Sequence, residues 1–426
     1  MTAGTHYPTA MPLPQPSPFN QHWQIDPDVV YLNHGSFGAT PKKVLAAQDR
    51  YRARIEAEGV RWFTREQDVA LDETRDSLGR FINADAADLV FLPNVTNAVA
   101  TILANYDFKE GDEVLADTHE YQACMNNLRR WTGKAHVKIN TAVMPPFPIA
   151  SPDDVVEAIV KTITPRTRLA LISHVTSPSG LLMPIEAIVK ELGSRNIDVI
   201  VDGAHGAGFV PLDMKKLESL GMTYYTSNCH KWLCSPKGSA FLWIKRDRHK
   251  GFRPLALSNF AESGKGTRSF LHTEFDYVGT SDVTAYLAIK DSIEVMGAML
   301  PGGWPEVFAT NHALALKGRD LVAKRLGTPH AAPDSMLGNL AAILLPANPP
   351  DLAAKIAARW AKEGDPLGGF LNSRHKIQIP LMHSSHPQTA NQRWVRISAQ
   401  LYNSIEQYEY LAQALVEELG RERDCC

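Results

Sequence analysis

The chain has 426 residues with 44% hydrophobic and 21% charged side chains, and its formal net charge is −2. This length predicts two domains, and the near-neutral charge argues against a nucleic-acid or membrane-surface partner, which would present a basic face. No apolar run reaches a membrane span, the N-terminus lacks a secretory pattern, and the five cysteines show neither metal nor disulfide spacing, so we expect a cytoplasmic protein.

The N-terminal part of the chain predicts an arm followed by a strand and a loop. Residues 1–30 begin with a segment rich in Pro, Thr and Ser, which indicates an arm that is either loose or folded over a partner subunit. Residues 29–32 predict a short strand. The loop at residues 33–38 contains Asn33, His34 and two glycines, and it is either a tight turn or the lip of a substrate pocket.

A candidate anion site follows the next strand. Residues 66–81 predict a helix and residues 89–92 a strand, after which Asn94, Val95 and Thr96 precede another apolar helix. Free N–H groups at a helix N-terminus bind anions, most often a phosphate. The alternative interpretation is that Asn94 or Thr96 simply caps the helix.

The middle of the chain predicts a parallel sheet. Strand, helix and strand patterns follow one another at residues 169–174, 184–195 and 198–202. This alternation is typical of a parallel sheet with helices on both faces, and such sheets bind ligands beyond the carboxyl ends of their strands. Asp202 and Ser177 lie at such ends. Tyr121, after a strand at residues 113–116, either covers a flat cofactor ring or packs in the core.

The chain is predicted to divide near residue 301, where Pro301 to Pro305 interrupt the helical pattern. Residues 31–300 then form a large domain, and residues 301–426 form a smaller α+β domain. The chain segment after the last predicted helix contains Cys425 and Cys426.

One carboxylate and one lysine indicate the chemistry. Asp202 ends an apolar strand, and Lys231 follows about thirty residues later among Cys229, Trp232 and Leu233. Pyridoxal phosphate needs an acid against its ring nitrogen and an amine for a Schiff base. Each residue alone has an ordinary interpretation, a surface acid and a lysine that reaches solvent. Together, at strand ends, they favour a pyridoxal phosphate enzyme.

The residues around this pair resemble a known family. The runs at residues 201–205 and 228–233 are similar to the class V aminotransferases, which are fold-type I pyridoxal phosphate enzymes, and in particular to the isopenicillin N epimerase-like branch. Supporting stretches lie at residues 32–38, 93–96, 119–121, 173–180 and 279–282. The resemblance implies an α/β fold whose large domain has a mostly parallel, seven-stranded sheet, and a homodimer with a shared active site.

The resemblance also implies a role for each site residue. Lys231 would form the Schiff base and move protons at the substrate Cα, and Asp202 would pair with the ring nitrogen. His205 would stand near the phenolic oxygen with Ser177 opposite. Tyr121 would stack on the ring. The phosphate would be bound by Asn94, Val95, Thr96, Asn228 and His230, with Thr280 from the neighbouring subunit. Arg396 would grip the substrate carboxylate, with Arg393 as the alternative, and Asn33 and His34 would contact the substrate.

The reaction stays open at this point. A carbanion at Cα permits epimerisation, elimination, elimination followed by cyclisation, or transamination. Elimination includes the chemistry of related C–S lyases that act on cysteine sulfoxide conjugates, and we expect an epimerase or an eliminating lyase first. Gln122 stands where this branch often has glycine, which changes the pocket wall. Residues 364–395 contain no cysteine, which disfavours cysteine desulfurase chemistry. The alternative of another class is an inactive scaffold with the same fold.

Overall fold

The structure is a computed structural model that describes residues 12–384, 386, 389 and 391–424, without the side chains of residues 360, 361, 363 and 424. The first eleven residues of the predicted arm and the terminal Cys425 and Cys426 lie outside this range. Within it, the predicted α/β architecture is confirmed.

A seven-stranded sheet forms the centre of the molecule. Its strands in chain order are β2 (Leu89–Leu92), β3 (Glu113–Asp117), β4 (Lys138–Ala142), β5 (Thr167–Ser173), β6 (Asp198–Asp202), β7 (Tyr224–Asn228) and β8 (Ala240–Ile244). The spatial order is β2-β8-β7-β6-β5-β3-β4, and β8 alone runs antiparallel to its neighbours. Parallel strands β3, β5, β6 and β7 therefore end at one edge, which carries Asp117, Ser173, Asp202 and Asn228.

Helices cover both faces of this sheet. The described helices are α1 (His34–Phe37), α2 (Lys42–Ala57), α3 (Gly59–Arg61), α4 (Gln67–Ile82), α5 (Val95–Asn105), α6 (Gln122–Lys134), α7 (Pro152–Val160), α8 (Ile185–Gly193), α9 (Met214–Ser219), α10 (Phe270–Asp276), α11 (Thr284–Gly297), α12 (Gly303–Leu326), α13 (Pro350–Glu363), α14 (Pro366–His375) and α15 (Ile405–Asp424). None of the described helices is long and apolar enough to cross a membrane.

The middle of β6 is apolar because each face of this strand meets a separate core. Val199 and Val201 belong to the core that includes α4 and α8, whereas Ile200 belongs to the core under α5 and α6. Side chains of successive strand residues point to opposite faces, so a strand covered on both sides does not alternate apolar and polar residues. This is why residues 199–201 form a continuous apolar run that ends at Asp202.

The C-terminal part packs around a second sheet. Strands β9 (Leu340–Leu344), β11 (Leu381–His383) and β12 (Arg393–Ser398) are antiparallel in the order β11-β12-β9, with α12 and α15 packed against them. A separate pair is formed by β1 (Val30–Tyr31) and β10 (Ile377–Gln378), which run parallel. The domain division near residue 301 stays a prediction. The β1 pairing nevertheless attaches the start of the chain to its C-terminal part.

The arm differs from the loose segment that its composition suggests. Residues 18–22 form a turn of 3-10 helix, Ser17 N–H donates to the carbonyl of Tyr402 at 3.1 Å, and Leu13 and Phe19 pack against C-terminal cores. The described part of the arm is therefore fixed by a few apolar and backbone contacts, which local composition does not reveal.

Two valine substitutions test the account of the buried strand. Val199→Ala in β6 removes methyl groups that are wholly buried, and we expect it to lower the free energy of unfolding by about 2 kcal/mol. Val60→Ala is the matched control, because its side chain is 81% exposed in a helix and alanine favours helix. Urea unfolding followed by tryptophan fluorescence measures both. Equal effects of the two substitutions would contradict this account.

Candidate active site

A cavity of about 230 Å³ lies at the edge of the sheet where the parallel strands end. It is lined by Ser36, Phe37, Asn94, Val95, Thr96, Tyr121, Ser173, Val175, Ser177, Asp202, Ala204, His205, Asn228, His230 and Lys231. The topology explains its position, since Ser173, Asp202 and Asn228 are the last residues of three neighbouring strands. Ten residues predicted to bind or act on a ligand thus lie around one space.

Lys231 lies in the loop between β7 and β8, with its amine at the cavity. Burial lowers the pKa of this amine to about 8, and the nearby positive charge of Arg396 acts in the same direction, while Asp202 partly opposes both. The Nζ atom is 3.3 Å from Nε2 of His205. The lowered pKa makes much more of the neutral amine available near neutral pH than an ordinary lysine offers, and the neutral form attacks carbonyl carbon and accepts protons.

The protonation of His205 follows from its partners. The indole N–H of Trp232 donates to Nδ1 of His205 at 3.1 Å, and an indole nitrogen can only donate. Burial keeps the pKa of His205 well below its usual value, so the ring is neutral. With Nδ1 accepting, the single ring proton is on Nε2, and the N–H points to Lys231 and the cavity.

Asp202 is held in a buried group of acids. Its Oδ1 accepts from the N–H of Ala204 at 2.9 Å, and its Oδ2 accepts from the thiol of Cys124 at 3.3 Å. Carboxylate oxygen and sulfur atoms of Glu120, Cys124 and Asp202 lie within 4.8 Å of one another. Burial raises the pKa of Asp202 and raises that of Glu120 well above its usual value. Glu120 is therefore the acid that keeps a proton, and Asp202 is the one that faces the cavity.

Another part of the cavity wall is formed by the N-terminus of α5. Helix α5 begins here, with Asn94 accepting from the N–H of Asn97 at 2.9 Å as its cap, while Val95 N–H donates to Oδ1 of Asn228 at 3.0 Å. His230 donates through Nδ1 to the carbonyl of Ser239 at 2.9 Å. Asn94 therefore caps the helix, and the positive end of the helix faces the cavity, while anion binding at this end stays a prediction.

Arg396 lies behind the cavity wall, at 2% exposure in β12. Its guanidinium donates to the carbonyl of Ser177 and, at 3.1 Å, to the hydroxyl of Ser36, while Nε has no partner among the described residues. Burial lowers the pKa of Arg396 to about 10. Arg393, the alternative, is instead bound by Asp365 and Glu422.

Four predicted residues do not line the cavity: Arg396, Asn33, His34 and Thr280. Arg396 reaches it through its contacts with Ser36 and Ser177, and Asn33 accepts a hydrogen bond from Ser36. The expected substrate contact of His34 is not present, because its ring is fully buried and both of its nitrogens have protein partners. Thr280 is exposed and contacts Tyr277 at 3.0 Å.

Sequence reasoning missed three residues of the site. Glu120 and Ser173 are hydrogen-bonded to each other at 2.9 Å beside Asp202, and Trp232 fixes the tautomer of His205. Ser173 could have been found, because it is the end residue of β5 and stands opposite Asp202 in the parallel register. Glu120 and Trp232 act through contacts that no local pattern signals.

The site residues fit pyridoxal phosphate. A lysine with a lowered pKa, a carboxyl group at a strand end and the positive end of α5 are the three kinds of group that the aldehyde, the ring nitrogen and the phosphate require. They surround the same cavity, so one molecule can meet all three.

Comparison with known proteins gives relatives along nearly the whole chain. The family model for Aminotransferase class-V matches residues 30–301. A probable chloroplastic L-cysteine desulfhydrase of Arabidopsis thaliana is 31% identical, over 94% of this chain and 84% of the relative. The isopenicillin N epimerase of Streptomyces clavuligerus is 29% identical, over 92% and 95%. Among solved structures, a mutant of C-DES with glycine covalently linked to its PLP cofactor matches with a TM-score of 0.76, 18% identity and coverage of 94% and 100%.

The pKa of Lys231 predicts how cofactor attachment depends on pH. The cofactor-free protein should attach added pyridoxal phosphate faster as pH rises, with a midpoint at about 8, because only the neutral amine reacts. Trapping with borohydride at timed intervals, followed by peptide mapping, measures the rate. An exposed lysine titrates about two units higher and provides the internal comparison. A pH-independent rate between pH 6 and 9 would contradict the assigned environment.

Proposed function

The chain belongs to the class-V aminotransferase family, and we propose that it catalyses β-elimination from a small thiol-bearing amino acid such as L-cysteine. Cysteine and water would give pyruvate, ammonia and hydrogen sulfide. The protein is an enzyme whose cofactor is pyridoxal 5′-phosphate, which when bound stabilises negative charge that develops at the substrate Cα.

The observation that carries this proposal is a cavity that offers one buried amine as its base. Among the described lining residues, Lys231 is the only amine, and the neutral histidines His205 and His230 each have one ring nitrogen engaged by the protein. Elimination requires one such base at Cα.

Lys231 would perform the proton transfers. It would attach the cofactor, and as a free amine with a pKa of about 8 it would take the proton from Cα. The same proton would pass to the departing sulfur, so that the thiolate leaves as hydrogen sulfide. His205, with its N–H directed to this region, would donate to the cofactor's phenolic oxygen, and Ser177 would stand on the other side.

The other lining residues would hold the cofactor. Asp202 would keep the ring nitrogen protonated, and the proton retained by Glu120 favours a single negative charge there, because two buried carboxylates so close disfavour double ionisation. Tyr121 would cover the ring. The phosphate would be bound by Asn94, Val95, Thr96, Asn228 and His230 at the start of α5.

Arg396 would bind the substrate carboxylate. Guanidinium and carboxylate form paired hydrogen bonds, and Arg396 already directs donors to Ser36 and Ser177 at the cavity wall. The substrate carboxylate would add to these neutral acceptors, which would keep the guanidinium in place. Asn33 would act indirectly, since it accepts from the Ser36 hydroxyl at 2.5 Å.

The cysteines support release of sulfide over its capture by the enzyme. Cys124, Cys229 and Cys234 are buried, and no described cysteine lines the cavity. An enzyme that captures sulfur needs an accessible thiolate, and burial raises the pKa of all three thiols. The relative named as a desulfhydrase is consistent with this proposal.

Epimerisation of an amino acid is the second candidate. A relative named isopenicillin N epimerase aligns with 92% of this chain, and the phenol of Tyr121 lines the cavity at 48% exposure, where it could return a proton to Cα. Transamination would use the same groups, but neither of these relatives is named for it. A cytoplasmic location is part of the proposal and rests on the cysteine pattern.

Incubation with L-cysteine in heavy water separates these reactions. We expect the purified protein loaded with pyridoxal phosphate to release pyruvate, ammonia and sulfide in equal amounts. Lys231→Ala should lose this activity by at least about a thousandfold, because the described lining of the cavity offers no second amine. Deuterium at Cα with loss of chirality and no pyruvate would instead establish an epimerase. Conversion to a keto acid that retains sulfur would indicate transamination.

We also propose a homodimer with shared active sites. Leu255, Leu257 and Val278 are exposed, Val278 two residues before Thr280, and exposed apolar side chains are common at interfaces. Thr280 would then reach the phosphate of the neighbouring subunit. Sedimentation should give twice the chain mass, and mixing the inactive variants Lys231→Ala and Thr280→Asp should restore activity in heterodimers. A monomer that retains the cofactor would contradict this proposal.

A further inference from the structure

The peptide that carries Lys231 is held from the side opposite the cavity by His34. The Nε2 atom of His34 is 3.0 Å from the carbonyl oxygen of Lys231, and its Nδ1 is 2.8 Å from the hydroxyl of Tyr402. The ring is fully buried and lies 4.8 Å from the indole of Trp232, centroid to centroid. His34 therefore connects the loop after β7 with a residue of the C-terminal part.

The hydrogen-bond directions are fixed by chemistry. The carbonyl of Lys231 can only accept, so Nε2 of His34 carries the proton. Nδ1 then accepts from the hydroxyl of Tyr402, which requires a neutral ring. Burial lowers the pKa of His34 to about 3, which is consistent with this single tautomer.

Gly38 supports the same peptide from the next turn of the loop. Its φ is +69°, and a Cβ added there would lie 2.0 Å from the carbonyl oxygen of His230 and 2.9 Å from Cα of Lys231. Only glycine combines this left-handed conformation with so close an approach. Residues 33–38 are therefore in direct contact with the backbone on both sides of the His230–Lys231 peptide bond.

The other side of this loop contacts the arginine of the site. The hydroxyl of Ser36 accepts from Arg396 at 3.1 Å, and the N–H of Gly35 donates to the hydroxyl of Ser398 at 3.1 Å. Arg396 and Ser398 both belong to β12. One loop of six residues thus touches the backbone of the lysine and the side chain of the arginine.

We propose that His34 is a positioning residue for Lys231, and that the loop at residues 33–38 sets the separation between the amine of Lys231 and the guanidinium of Arg396. This inference deepens the proposed function and rests on it, since it assumes that the arginine holds the substrate carboxylate. A substrate fixed at its carboxylate presents its Cα hydrogen at one place, and a displacement of about 1 Å can cost about a hundredfold in rate.

Two substitutions at His34 distinguish a role in positioning Lys231 from a general effect on the stability of the fold. The amide nitrogen of glutamine reaches about as far as Nε2 of histidine and can donate to the Lys231 carbonyl, whereas asparagine reaches only as far as Nδ1. We expect His34→Asn to lower kcat between about tenfold and about a hundredfold with KM changed less than about twofold, and His34→Gln to recover most of the loss. Tyr402→Phe keeps the ring volume and removes only the hydroxyl donor, so a smaller fall in kcat is expected.

Ser36→Ala provides the contrast within the same loop. It removes a partner of Arg396, so KM should rise by a larger factor than kcat falls. A second readout does not need turnover: the rate at which added pyridoxal phosphate becomes attached to Lys231, measured by borohydride trapping, should fall for His34→Asn and recover for His34→Gln.

The outcomes distinguish this inference from the proposed function. If wild type attaches the cofactor at Lys231 but does not cleave cysteine, the proposed reaction is wrong, and the trapping rates still decide the role of His34. The positioning role of His34 would be overturned if wild type and His34→Asn had equal trapping rates. It would also be overturned if His34→Asn and His34→Gln reduced the trapping rate equally. Should His34→Asn fail to fold, an unchanged trapping rate and kcat in Tyr402→Phe would also overturn it.

Discussion

A primary amine that must stay neutral inside a protein is the constraint on which this structure depends. In water the amine of Lys231 would be protonated at neutral pH. The loop that carries it therefore has to exclude water while the amine still reaches the cavity. The loop achieves this by complete burial of Cys229, Trp232, Leu233 and Cys234 around it. Because these neighbours come from the same short loop, the environment of the amine is built largely by its own flanking residues.

The sheet supplies the complementary charge. Parallel strands bring their carboxyl ends to one edge, and in β6 the only acid that ends the apolar run becomes the acid of the site. Asp202 and Lys231 are held by different strands, yet both lie beside His205, whose tautomer is determined by Trp232. The orientation of His205 is thus fixed by Trp232, whose indole nitrogen can only donate a hydrogen bond.

Much of this could be predicted from the sequence because its signals are local. The apolar run before Asp202, the cap at Asn94 and the position of Lys231 after a strand each depend on a few adjacent residues. His34, in contrast, contacts Lys231, which lies 197 residues away in the sequence, and Tyr402, which lies 368 residues away. No periodicity of the sequence predicts such contacts. The described part of the arm is a second case, since Ser17 and Leu13 contact residues far along the chain.

The pairing of β1 with β10 has a consequence for the order in which the enzyme can mature. Strand β1 finds its partner only after residue 378 has been made, and the His34 ring finds its hydroxyl only after residue 402. The seven-stranded sheet and its lysine loop are complete some 130 residues before residue 378. A nascent or truncated chain would therefore contain the reactive amine before it contains the contacts that hold the lysine in place.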